Sequence, residues 1–489
     1  MNFVGYISGA IATFMFTAGG ARAEVLRLNP QHVVDRILSQ GLTPQELALD
    51  EQQKEKEYLE ALSELDWTLG AETNFEEDRG ESLTGTSNLK DQKLVMGLSL
   101  NKSISSGTDF ELGYQRQSQK SELSSFAQNI NLPEAQTQDQ LHLKISQHLW
   151  QNGFGTAHRS RLSRAQEVLK NASSQRLEGL EDALVEGMKK YWDAFVAQEN
   201  LKESLAAKDR YENLVKIVGN KSRVGFTNPG ELSRVQAEFE EQLQRVKSNS
   251  LAYLTAADEL LVLLRYPVGQ DLEFEIKEVL PPLPRLQAKD LKQLRPYQIA
   301  EKELAIAADD LRWSRSQQAP QLDLVGEARF TGVEEQPSDA FAEMSGLGRP
   351  TYYMGVQFST SLDGRQRRAE ISFKTAEHKR KQLHLQKKAD ELESQLREKE
   401  RQSQAQLQIA ESAGRMVDLR QKAVKELERA YRQGRSTISD VILAYNAFFA
   451  AQTKKSRAIG DYHIALNELA STRDELIAGY TVQTKESGQ

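Results

Sequence analysis

Apolar residues recur along most of this chain at steps of three and four, and in two stretches at steps of two. The first such stretch runs from about Asp66 to Trp150. In it Trp67, Leu69, Ala71, Thr73 and Phe75 share one face of an extended segment, and Leu94, Met96, Leu98 and Leu100 share one face of the next. After Ser106-Gly107 the alternation continues through Phe110, Leu112 and Tyr114, and Leu141, Leu143 and Ile145 then oppose His142, Lys144 and Ser146. The second stretch holds Leu322, Leu324, Gly326, Ala328 and Phe330, followed by Tyr352, Met354, Val356 and Phe358. Strict alternation predicts strands that are apolar on one side only. It suits a soluble antiparallel sheet, and equally a membrane barrel with lipid outside and water inside. Strands of about 10 residues, polar loops and aromatics near the strand ends favour the barrel.

The helical period predicts helices over 30–62, 155–222, 229–265, 285–317, 365–433 and 438–474. Their lengths pair long with short, and the N-terminal helix supplies the piece the second half lacks. At 1.5 Å per residue the two longest reach about 100 Å, the length of a rod and not of a globular domain. Leu177, Leu180, Leu184, Met188, Tyr191 and Phe195 form a seam for neighbouring helices. Pro281-Pro282-Leu283-Pro284 cannot continue a helix and predicts a rigid crossing between helical pieces.

One passage occurs twice. Gly225 through Leu232 opens one helix and Gly434 through Val441 another, and the two run in step without a gap to Leu260 and Leu469. A constant offset over such a stretch marks a duplicated structural unit. Each returning helix has an acidic residue in its first turn, Glu231 in one and Asp440 in the other. Interaction with the helix dipole accounts for both locally. In a ring of copies the same residues form a carboxylate ring that attracts cations and narrows a pore.

Composition agrees with extended helices: 39% of the 489 residues are hydrophobic, 27% are charged, and Pro numbers only 12. A net charge of −7 disfavours a nucleic-acid partner. Phe3 to Ala21 carries no charge and leads into Ala21-Arg22-Ala23, which predicts a secretory leader cleaved between Ala23 and Glu24. The absence of cysteine excludes disulfides, thiolate metal sites and a Cys nucleophile. No phosphate loop, zinc-protease or serine-hydrolase motif occurs, so the expectation is a protein that is not an enzyme, with no cofactor and no metal. His142 and His148 share a strand face and His378 and His384 a helix, each pair without a third metal ligand; all four read as exposed polar residues.

Taken together, these residues resemble the TolC-type outer-membrane efflux family over nearly the whole chain after the leader. The most specific stretch is Tyr431-Arg432-Gln433-Gly434-Arg435-Ser436-Thr437-Ile438-Ser439-Asp440-Val441. Arg295-Pro296 through Ala305, Ala307 and Ala308 to Ala319-Pro320-Gln321-Leu322-Asp323-Leu324 is similar to the family's helix-into-strand entry. Ser146 through Trp150 and Ser361 through Gly364 are similar to its strand exits. The resemblance implies a mainly α fold with membrane β. Long helical hairpins would form a periplasmic tunnel, and the strands of a homotrimer would pool into one outer-membrane barrel among outer-membrane lipid. It implies an exit duct for small molecules or polypeptides, docked to a periplasmic adaptor (membrane fusion protein) and an inner-membrane pump that sets the cargo. By position, Asp440, Tyr431 and Glu231 match its periplasmic gate, and Gly225, Gly434 and Thr437 its hairpin-tip turns. The chain departs from the family pattern at Leu443, in place of a second gate carboxylate, and at Ser436, in place of a gate arginine beside Arg435. A further departure is an extra hairpin, Leu94 to Gln117, where the family norm is four strands per subunit.

The expected organisation is a leader at 1–23, the N-terminal tunnel helix at 24–63, strand regions at 64–150 and 319–364, and helical hairpins at 151–266 and 365–475. A linker at 267–284, a short tunnel helix at 285–318 and a tail at 476–489 complete it. The alternative reading is a periplasmic coiled-coil adaptor or scaffold protein, which has one hairpin with soluble β-domains and lacks two hairpins with matching strand regions.

Overall fold

The computed structural model describes residues 25–79, 90–122, 133–225, 227–276, 280–284 and 289–480. The expected leader with its cleavage point between Ala23 and Glu24 lies outside them, as do Phe226 and the tail beyond Tyr480. In chain order the elements are β1 (Leu26–Leu28), α1 (Pro30–Gln40), α2 (Leu42–Ser63), β2 (Trp67–Asp78), β3 (Lys90–Ile104), β4 (Thr108–Glu122) and β5 (Ala135–His148). There follow α3 (Thr156–Arg223), α4 (Glu231–Leu263), β6 (Leu272–Phe274), α5 (Arg295–Gln317), β7 (Gln321–Glu334), α6 (Pro337–Ser345), β8 (Pro350–Ser359), α7 (Arg365–Arg432) and α8 (Ile438–Thr472). They fall into two compact units, Thr43–Glu181 with Gln287–Glu398, and Met1–Leu42 with Asp182–Leu286 and Lys399–Gln489.

The unit of residues 43–181 and 287–398 contains one antiparallel sheet in the order β2-β3-β4-β5-β7-β8. Its register carries the sequence alternation through every strand. Leu69, Leu100, Leu112, Leu143, Ala328 and Tyr352 stand opposite one another in a single row. One residue along, Thr68, Asn101, Glu111, Lys144, Glu327 and Tyr353 form the corresponding row on the other face. A one-residue slip in any strand would send its whole apolar set to the wrong face, so the pattern pins the pairing. The hairpin β3–β4 is therefore an interior part of the sheet, paired on both sides. Its turn is seated under the strand-to-helix corner, where Arg159 Nη1 donates to the Ser105 carbonyl at 3.2 Å.

Helix α6 forms in the polar connection between β7 and β8, a stretch without helical period. Pro337 starts it, and Ala340 and Met344 are buried against the strands while Phe341 stays exposed. Beneath it Arg116 pairs bidentately with Asp139, with Nε–Oδ1 at 2.8 Å and Nη2–Oδ2 at 2.7 Å. Helix α5 starts at Arg295 and not at 285: Leu294 is extended and Pro296 occupies the first turn, where a missing N–H costs nothing. The Arg295 guanidinium reaches the buried Glu181 carboxylate of α3 at 2.7 Å.

The other unit is mainly helical and holds three apolar clusters. In one, Leu28, Ile37, Leu184, Met188, Tyr191, Trp192 and Leu260 are buried together. The lower half of the expected α3 seam thus lies in the core, whereas Leu177 is exposed. The single helix expected over 30–62 breaks at Gly41, whose ψ of 146 leaves the helix while its N–H still closes on the Ile37 carbonyl. β1 and β6, too short for periodicity to reveal, pair in parallel across Leu26–Leu272 and Leu28–Phe274. The second cluster joins Tyr211, Val218, Val235, Tyr431, Ile438, Phe448 and Phe449.

Candidate functional site

Both expected tips are tight turns. Gly225 (φ 74) donates to the Ser222 carbonyl, and Gly434 (φ 70) donates to the Tyr431 carbonyl, each at 3.1 Å. Left-handed backbone of this kind costs glycine nothing and an L side chain about 1 kcal/mol or more. Beyond the turns the copies differ. Glu231 Oε1 accepts from Asn228 Nδ2 at 2.8 Å, and the residue before the helix, Gly230, has no side chain to cap it. Thr437 and Asp440 instead form a reciprocal capping box. Asp440 Oδ2 accepts from the Thr437 N–H at 3.0 Å, the Thr437 hydroxyl at 2.8 Å and the Ser436 hydroxyl at 3.0 Å. These donors, the Thr437 backbone N–H foremost, hold the exposed Asp440 carboxyl below its ordinary range. The Thr-x-x-Asp spacing was the signal for this box, and dipole reasoning alone missed it.

Tyr431 is 6% exposed, and its hydroxyl has no hydrogen-bond partner among the described residues. Burial, with the Glu231 charge second, pushes its phenol up. Lys221 at the end of α3 holds it: the ammonium lies 4.0 Å from the ring centroid and donates to the Tyr431 carbonyl at 2.9 Å. Sequence reasoning did not single out Lys221, because its partner lies in the other hairpin. Further along the same seam Arg234 meets Ser439, Tyr211 donates to Asn446 Oδ1 at 2.8 Å, and Asn446 donates to Glu238 at 3.2 Å. Asp440 and Tyr431 thus belong to one tip bound laterally to the other hairpin. Leu443, which the resemblance matches to a carboxylate of the family pattern, is 71% exposed.

The sheet has an unusual distribution of polarity. Leu69, Phe75, Tyr352, Met354, Val356 and Phe358 project from its apolar face and are exposed, while on the polar face Asp323 and Gly113 are buried. His148 sits between two carboxylates of that face, Asp323 Oδ1 at 2.7 Å and Asp109 Oδ2 at 3.0 Å. His142 faces Glu111 at 3.4 Å. These two histidines are half-buried members of a cross-strand network and not the free exposed residues the sequence suggested. Among the described residues, no three His, Asp or Glu side chains are grouped to hold a metal. None of the described helices is long and apolar enough to cross a membrane.

No protein-family model and no curated protein sequence matches the chain. Its structure is similar to the outer membrane protein VceC of Vibrio cholerae, with TM-score 0.64 and 12% identity, covering 91% of this chain and 95% of that one. The CmeC outer membrane channel of Campylobacter jejuni is similar with TM-score 0.68 and 12% identity over 91% and 86%. The MtrE outer membrane channel of Neisseria gonorrhoeae, in its open state, is similar with TM-score 0.67 and 15% identity over 91% and 89%. The chain therefore has the fold of the outer-membrane channel proteins, the fold that its resemblance to the TolC-type efflux family implies.

Proposed function

We propose that this protein is an exit duct in the outer membrane of a Gram-negative cell, acting as a homotrimer with a periplasmic adaptor and an inner-membrane pump, and catalysing no reaction itself. One observation carries the reading: the sheet is inside out. A soluble sheet buries its apolar face, whereas here that face is exposed on five of the six strands, at Leu69, Leu98, Leu112, Leu143 and Met354, and half-buried on β7, while Asp323 and Gly113 of the polar face are buried. Lipid outside and water inside is the arrangement that makes such a sheet stable. β2 and β8 are its edges, each paired on one side only among the described residues. Closing them onto neighbouring copies removes the unpaired backbone that hydrocarbon does not tolerate.

The likeness to outer membrane channels favours this reading over the adaptor or scaffold. In it the hairpin tips are the periplasmic gate. Asp440, Tyr431 and Glu231 line it, Gly225, Gly434 and Thr437 shape its turns, and Lys221 ties the two hairpins of one subunit. Membrane fractionation and native electrophoresis test the assignment. The expected result is a detergent-stable trimer in the outer membrane, and a soluble periplasmic monomer would overturn it.

A further inference from the structure

We infer that the exit barrel of this protein has an eighteen-stranded wall, six strands from each of three copies, with β3–β4 as a widening module that lines a water-filled lumen. The inference rests on the trimeric duct proposed above. Its own basis is the register. β3 pairs with β2 from Trp67–Lys102 to Asp78–Asp91, and β4 pairs with β5 from Thr108–Gln147 to Lys120–Ala135, so the hairpin is laddered along both sides. Its apolar residues continue the lipid-facing rows, Leu98 opposite Ala71 and Tyr114, and Leu112 opposite Leu100 and Leu143. A hairpin that merely decorated the outer end would have neither the ladders nor the in-phase rows.

The module is also in phase for removal. Through Lys102 and Phe110, Trp67 stands level with Ile145. Because two strands were inserted, β2 and β5 remain antiparallel to each other and present apolar residues on the same face. Without β3–β4 the chain therefore retains a four-stranded sheet of β2, β5, β7 and β8 and could close as a barrel of about twelve strands. Diameter grows about linearly with strand number, so the native barrel is roughly 1.5 times wider and its lumen roughly twice the area of the shortened one. Barrels of 16–18 strands leave an open aqueous channel. On β4 and β5 the inner lining is amide-rich, with Gln115 opposite Gln140, Gln117 opposite Gln138 and Gln119 opposite Gln136. Such a lumen takes bulky hydrated cargo.

The chain has no cysteine, so single thiols can be placed without background. Trimers of Leu98→Cys and Gln115→Cys in liposomes are labelled with a charged, water-soluble maleimide and with a lipid-soluble one. Gln115→Cys is expected to react with the charged reagent at least tenfold faster than Leu98→Cys, with the order reversed for the lipid-soluble reagent. Equal reaction of both sites with the charged reagent would mean that the hairpin lies outside the membrane and would overturn the inference, leaving the duct intact. Electron cryomicroscopy of the native trimer in lipid discs supplies a measurement that needs no variant. Eighteen strands in one wall are expected, and twelve would overturn the inference. Failure to recover any membrane trimer would count against the duct itself.

Discussion

At the scale of single residues, two side chains carry clear predictions. Asp440 has its carboxyl held low by three donors on one oxygen. A depressed acid contributes stability above its unfolded pKa and loses it as pH falls through the folded one, so the second tip should loosen on acidification below the ordinary carboxylate range. Asp440→Asn keeps an acceptor for the cap and removes the charge; Asp440→Ala removes both. If the carboxylate ring governs ions, both variants lose cation block in planar-bilayer recordings to the same degree. Block that survives in Asp440→Asn would reduce this residue to a cap. His463 is the second case. Stacked on Trp192 at 3.9 Å between centroids, it is pushed down to about 4 by burial alone. Here the unfolded chain takes up a proton near 6.5 and the folded one does not until about 4, so stability falls as pH drops through that window, by up to about 3 kcal/mol. His463→Phe, which retains the stack, should flatten the dependence of the thermal midpoint on pH between those limits.

At the scale of elements, the pairing of the hairpins at their tips is the restraint that the proposed gate would have to release. Lys221 contributes both a cation–π contact and a hydrogen bond to Tyr431. Lys221→Met removes both and should raise the open probability of reconstituted channels several-fold, at a stability cost of about 1 kcal/mol. An unchanged open probability would place the restraint elsewhere along the seam. Thr437→Ala removes one half of the capping box and should cost about 1 kcal/mol, read as increased amide exchange in the first turn of α8. The contrast between what the sequence revealed here and what it hid is physical. Long helices and alternating strands announce themselves by period, and α3, α7 and every strand of the sheet lie close to where the pattern puts them. The break at Gly41, the late start of α5, helix α6 and the β1–β6 pair depend on one or a few residues each, too few to establish a period. For the site, Asp440 and Tyr431 were legible from a local motif. Lys221 was not, because its contact joins positions 210 residues apart.

At the scale of the whole molecule, the sheet offers the sharpest distinction between a membrane duct and a water-soluble β-domain. In the single chain Leu98 is 53% exposed. An exposed leucine on a soluble protein accepts arginine at a cost within about 0.5 kcal/mol. The same leucine on the lipid face of a barrel does not: arginine near the bilayer midplane costs about 2–4 kcal/mol. Gln115 lies on the opposite face, one position beyond the level of Leu98, and faces water under either reading. Leu98→Arg and Gln115→Arg therefore form a matched pair, alike in added charge and nearly alike in depth. The duct predicts that Leu98→Arg sharply lowers the yield of membrane-inserted trimer while Gln115→Arg assembles as the native protein does. If both variants assemble equally, the apolar face does not meet lipid, and the outward rows of leucine, methionine and tyrosine would need another cover.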